Sequence, residues 1–96
     1  MMDYEWDERK RAVNLRKHGV DFAVIESFVW ESAVSFQDTR KQHGETRYVA
    51  YGPISARLHC VVYTVRGRNI RIISLRKANR REVNRYGQET ENHPAD

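Results

Sequence analysis

Two groups of residues in this chain have the types needed to act on a phosphodiester. One is the segment Asp38, Arg40, Lys41, His43, Gly44, Glu45 and Arg47; the other is the C-terminal set Arg76, Lys77, Arg80 and Arg81. Metal-free RNA cleavage needs a base to activate the ribose 2′-hydroxyl and cations to stabilise a crowded, doubly charged transition state. It also needs an acid or cation for the departing 5′-oxygen. Glu45 or His43 can take the proton. The arginines suit the electrostatic task because their planar fork contacts phosphate oxygens in pairs and stays charged at any working pH. Each residue also has a simpler role open to it: His43 beside Gly44 as a turn residue, and Glu45 as a cross-strand partner of an arginine.

Arg76 follows an apolar, strand-like run, Ile70, Ile72, Ile73 and Leu75, so its charge has a fixed direction, as a phosphate-binding surface requires. Just after it, Asn79 and Glu82 have the spacing of a capping box, which places Arg80 and Arg81 in the first turn of a helix. Positive charge there opposes the helix dipole, which favours a role in holding a ligand. Trp6 and the tyrosines Tyr48, Tyr51, Tyr63 and Tyr86 offer faces on which bases could stack, although most aromatics of this kind belong to a core.

The elements that must position these groups are readable in outline. Trp6 ends a short entry strand and Asp7 caps a first helix that Gly19 stops, with Ala12, Val13 and Leu15 as a thin inward stripe. Asp21 caps a second helix whose richer apolar face is Phe22, Ile25, Phe28 and Val29. Strands are expected at Val34 to Phe36, Arg47 to Tyr51, Leu58 to Val65 and Ile70 to Leu75. Gly52 and Pro53 should break the strand before them, and Arg66 to Asn69 should turn an antiparallel hairpin. A short third helix, anchored by Val83 and Tyr86, should end at Gly87, leaving a polar tail with too little apolar surface to order.

A chain of 96 residues supports one core. The expected organisation is a single α+β domain over residues 1–87 with a disordered polar tail over 88–96. The net charge of +4 is moderate, so the clustering of the cations says more than their sum. No apolar span or signal peptide is evident, which points to a cytoplasmic protein without a membrane role. The lone Cys60 lies in an apolar run and reads as a small buried hydrophobe. The chain lacks P-loop and dinucleotide-binding glycine patterns. Its histidines are scattered, without the spacing of a zinc site, so neither a metal nor another cofactor is expected.

Several segments resemble the BrnT family of toxins from bacterial type II toxin–antitoxin systems. They are Glu5-Trp6-Asp7 with Lys10, the run Asn14 to Val20 with Phe22, Arg40, His43-Gly44-Glu45 with Arg47, Val62-Tyr63-Thr64, Arg71 to Ser74, Arg76-Lys77-Ala78, Arg80-Arg81-Glu82 and Tyr86. Together they span about residues 4 to 86, nearly the whole chain. The resemblance implies a RelE-like fold, a mainly antiparallel β-sheet with two N-terminal helices and a short C-terminal helix. It implies a metal-independent endoribonuclease that inhibits translation, and a cognate BrnA-like ribbon-helix-helix antitoxin through whose complex alone operator DNA is bound. Carried onto this chain, it makes Glu45, Arg47, Arg76, Lys77 and Arg80 the catalytic candidates; Trp6, Lys41, His43, Arg81 and Tyr86 are candidates for RNA contact. Asn79 stands where a hydroxyl residue is the commoner cap, and caps equally well. The alternative from another class is a non-catalytic basic module that binds nucleic acid or a protein partner through the same cations.

Overall fold

The computed structural model describes residues 3–40 and 44–91. The strands β1 (Asp3–Trp6), β2 (Val34–Asp38), β3 (Arg47–Ile54), β4 (Arg57–Arg66) and β5 (Asn69–Lys77) form one sheet in the order β1-β5-β4-β3-β2. All its ladders are antiparallel except β1–β5, which is parallel, so the sheet is mixed with an antiparallel majority. Helix α1 (Glu8–His18) and two short 3-10 helices (Phe22–Ser27 and Trp30–Ser32) lie between β1 and β2, and α2 (Arg80–Glu91) follows β5. No helix among the described residues is long and apolar enough to cross a membrane.

The caps fall where the sequence places them. Asp7 accepts from the N–H groups of Arg9 and Lys10 at 2.7 and 3.3 Å, and Gly19, at φ 71°, closes α1 with a 2.8 Å bond to the Leu15 carbonyl. The inward stripe of α1 differs from expectation. Val13 and Leu15 are 56% and 41% exposed, Ala12 is exposed too, and the buried residue is Asn14. Its amide acts as a piece of strand, donating to the Leu75 carbonyl at 2.7 Å and accepting from the Leu75 N–H at 3.1 Å, beyond the point where β1 ends. A second donation, to the Val20 carbonyl, completes the set at 3.0 Å. A polar residue is inward because a backbone edge needs partners there.

The expected second helix is a 3-10 helix. Phe22, Ile25 and Phe28 recur every three residues, a period that keeps one face of a 3-10 turn on the core, and all of them are buried. Val29 falls outside the helix, 39% exposed, and donates instead to the Pro53 carbonyl at 3.1 Å. That bond explains a second departure, since β3 runs through Gly52 and Pro53 to Ile54. In an antiparallel strand a residue's N–H and C=O point to the same side. Pro53 turns that side to Val29, away from β4, so its missing N–H removes no bond to β4. Gly52 makes room for Phe28, whose Cζ would lie 2.6 Å from an added Cβ. The reversal comes later, at Ser55 and Ala56, with φ of 49° and 63°, while the next hairpin turns at Gly67 with φ 59° as expected.

The core lies between the sheet and the helical connection, built by Phe22, Ile25, Phe28, Ala50, Ile54, Val61, Ile72 and Leu75 with Trp6, Trp30 and Tyr48 against it. Trp30 sets its ring edge-on to Phe28 and Tyr63, and its indole N–H donates to the Tyr4 hydroxyl at 2.6 Å. Helix α2 does not stop at Gly87. It continues to Glu91, with the Thr90 hydroxyl donating to the Tyr86 and Gly87 carbonyls at 3.0 Å, so residues 88–91 are helical rather than part of a disordered tail. Residues 92–96 lie outside the described residues.

Candidate nucleic-acid site on the open sheet face

Strand alternation sends Tyr48, Ala50, Gly52 and Ile54 of β3 to the core and Arg47, Val49 and Tyr51 to the opposite face. The register extends that second face to Phe36 and Asp38 of β2 and to Cys60 and Val62 of β4. On β5 a bulge decides the matter. Val62 pairs with Ser74 but Tyr63 pairs with Ile72, so Ile73 is an extra residue that resets the alternation. Ile70, Ile72 and Leu75 therefore all face the core, and Ser74 and Arg76 come out on the open side. Without the bulge, Arg76 would share the face of Ile72.

A cavity of about 510 Å³ occupies this face, lined among others by Asp38, Arg40, Tyr51, Cys60, Arg76 and Glu82. Arg76 donates from Nη1 to Oε1 of Glu82 and from Nη2 to Oε2, each at 2.8 Å. The Tyr51 hydroxyl donates to the same Oε2 at 3.0 Å, and the Asn79 N–H donates to Oε1 at 2.9 Å. Asn79 Oδ1 accepts from the Glu82 N–H at 2.9 Å, so the expected capping box is present and its carboxylate also organises the site. Arg76 foremost, then the Asn79 N–H and Tyr51, hold the Glu82 carboxyl at about 2 against partial burial, and Glu82 in turn keeps Arg76 cationic. Burial raises the Tyr51 hydroxyl and the Cys60 thiol, so both keep their protons. Arg40 pairs in bidentate fashion with Asp38, at 2.9 and 3.0 Å, and is 80% exposed at the rim of the cavity.

The sequence candidates divide by position. Arg47 and Arg76 share the open face; the Nε of Arg47 is buried with no hydrogen-bond partner among the described residues. Arg81 and Tyr86 line a neighbouring hollow between α2 and β2, where Tyr86 donates to the Ser32 carbonyl at 2.6 Å. Glu45 is elsewhere. It accepts from Arg66 at 3.2 Å, and Arg66 is at the far end of β4 from Cys60, the register partner of Arg76, a span of about 20 Å. Lys77 pairs in register with the buried His59, on the face opposite Arg76. Arg80 is exposed on α2, beside a shallow concavity that it shares with Arg81, Asn84, Arg85 and Gln88. Trp6 packs edge-on against Phe22 at 6.0 Å and donates to Glu8 at 3.1 Å, on the core side of the sheet. Lys41 and His43 lie outside the described residues.

Sequence reasoning undervalued Tyr51, Glu82, Arg40 and Asp38. Period two in Arg47, Val49 and Tyr51 signals a shared face, and Glu82 has a second function hidden behind its capping one. Nothing local announces the bulge at Ile73 that brings Arg76 to them.

The family model described as "Ribonuclease toxin, BrnT, of type II toxin-antitoxin system" matches residues 6–82. Among solved structures, the chain is similar to the 1.1 Å crystal structure of the Brucella abortus ribonuclease toxin BrnT, with a TM-score of 0.66 and 32% identity over 83% of this chain and 100% of that one. No curated protein sequence matches the chain.

Proposed function

The chain belongs to the BrnT family of ribonuclease toxins of type II toxin–antitoxin systems, and on that premise we propose that its open sheet face carries out metal-independent endonucleolytic cleavage of RNA that inhibits translation. The observation that supports this most is the grouping of Arg76, its anchor Glu82, Tyr51 and Arg40 round one cavity. The ribose 2′-hydroxyl gives up its proton to water as its oxygen attacks the adjacent phosphorus, the bond to the 5′-oxygen breaks and that oxygen takes up a proton, so the products are a 2′,3′-cyclic phosphate and a 5′-hydroxyl. Arg76 and Arg40 offset the charge that grows on the non-bridging oxygens. Arg76 does so from a preset position, since Glu82 fixes it before substrate arrives. Tyr51, within electrostatic reach of both guanidinium groups, retains the proton that a departing alkoxide needs. Arg47 adds charge on the same face, with Arg81 and Tyr86 along the path of the RNA. Glu45, Lys77, Arg80 and Trp6 enter only as outlying contacts.

The family implies an antitoxin partner as well as an RNA target. We assign that partner to the BrnA-like ribbon-helix-helix class, with operator DNA bound through the complex, and the toxin to a RelE-like fold acting in the cytoplasm. Incubation of the purified protein with end-labelled RNA in EDTA tests the catalytic reading. Fragments ending in 2′,3′-cyclic phosphate are expected. Salt-sensitive binding without products would instead mark a non-catalytic module.

A further inference from the structure

We infer that the hollow between α2 and β2 is a nucleobase subsite, in which the base of a single-stranded RNA nucleotide flanking the cleaved bond stacks on Phe36. The inference deepens the proposed cleavage reading and rests on it. Phe36 is 50% exposed although its strand neighbours leave it beside an aromatic ring, that of Tyr51, at 6.1 Å and 28° from parallel. The walls are preset. Tyr51 is tied to Glu82 at 3.0 Å and Tyr86 to the Ser32 carbonyl at 2.6 Å, so neither ring turns freely. The hollow measures about 580 Å³, inside the range of about 300–1,000 Å³ usual for small-ligand sites. Arg81 and Arg85 stand on its rim together with Glu89.

Continuity with the cleavage site favours a nucleotide over other occupants. Phe36, Tyr51 and Glu82 line both the hollow and the cavity that holds Arg40 and Arg76. A base on Phe36 would thus have its backbone within reach of the phosphate-binding guanidinium groups. Stacking on an aromatic side chain is how single-stranded RNA is commonly held, because every base has a π face while its phosphates need cations nearby.

The test uses the full chain and a fully 2′-O-methylated single-stranded oligonucleotide, which binds but cannot be cut. A set of oligonucleotides carries one abasic nucleotide, moved stepwise along the strand. In the unmodified protein, one abasic position should cost about tenfold in affinity, and in Phe36→Ala that position-specific penalty should vanish. Phe36→Tyr should restore it, and on cleavable RNA Phe36→Ala should raise KM far more than it lowers kcat. Equal abasic penalties in the unmodified protein and Phe36→Ala, with RNA still cut, would overturn the subsite while leaving the ribonuclease reading intact. So would a Phe36→Ala effect confined to association with an antitoxin. Absence of both cleavage and RNA binding in the unmodified protein would overturn the two together.

Discussion

Arg76 and Glu82 face each other through two parallel 2.8 Å bonds across the joint between β5 and α2. One carboxylate thereby fixes the guanidinium, holds the Tyr51 hydroxyl and satisfies the first free N–H of the helix. Helix start and candidate site are therefore a single unit, and disturbing either should be felt in both.

Acid should expose that unit. The folded Glu82 carboxyl sits at about 2, below the ordinary value of 4.5, so the stability it contributes is complete above about 4.5 and is lost as pH falls towards 2. Glu82→Gln should lower stability at neutral pH by about 2 kcal/mol, the usual scale for bonds to a charged group. It should also lose less between pH 5 and 2 than the unmodified protein. Some acid sensitivity will remain, because Glu5, Asp7, Glu8 and Asp21 are held below their ordinary values as well. Urea unfolding at several pH values checks both parts.

Gly52 is a packing requirement. An added Cβ would meet the Phe28 ring at 2.6 Å, and that ring is buried against the core, so Gly52→Ala should cost about 1–3 kcal/mol. Phe28→Leu removes the ring and should relieve part of the clash. The double variant should therefore be less destabilised than the sum of the singles, a coupling that thermal or urea denaturation measures.

These residues also show where sequence reasoning succeeds. Asp7, Gly19 and the Asn79–Glu82 box are legible because their partners are a few residues away. The buried identity of Phe22, Ile25 and Phe28 is legible as well, but their exact period of three, which selects a 3-10 turn, is easily absorbed into an α-helical pattern. Gly52 and Pro53 read as a break because the reasons for an unbroken strand, the Phe28 ring and the Val29 N–H, are tertiary. Arg76 is recognisable as a cation closing an apolar strand. Its face, and the company of Tyr51 and Arg40, depend on the extra residue at Ile73 and on strand register. Glu45 shares its chemistry with the site that Arg76 marks, and nothing in a loop sequence says which end of the sheet it will occupy.

Asn14 should be intolerant of change. It partners both backbone groups of Leu75 and the Val20 carbonyl from a buried position. Asn14→Leu fits the volume but strands these groups, at a cost of about 1–3 kcal/mol for each unpaired set. Asn14→Asp should be worse, since it replaces two donations with a carboxylate facing two carbonyl oxygens. Expected are lowered urea midpoints in both, with accelerated amide exchange at Leu75.

The last expectation concerns the charge map. Removing one preorganised cation from a charge-stabilising site commonly lowers turnover by about 10²–10³, and Arg76→Ala should do so. Arg40→Ala, at a more exposed position, should lose less. Arg76→Lys should rescue little, because an ammonium cannot reproduce the bidentate pair of hydrogen bonds to Glu82 that presets the fork. Glu45→Gln, beside Arg66, and Lys77→Ala, on the other face, should leave turnover close to that of the unmodified protein. Single-turnover cleavage, measured on variants whose folding is verified by circular dichroism, separates these cases. A large loss from Glu45→Gln alone would move the site to the Arg66 end of the sheet.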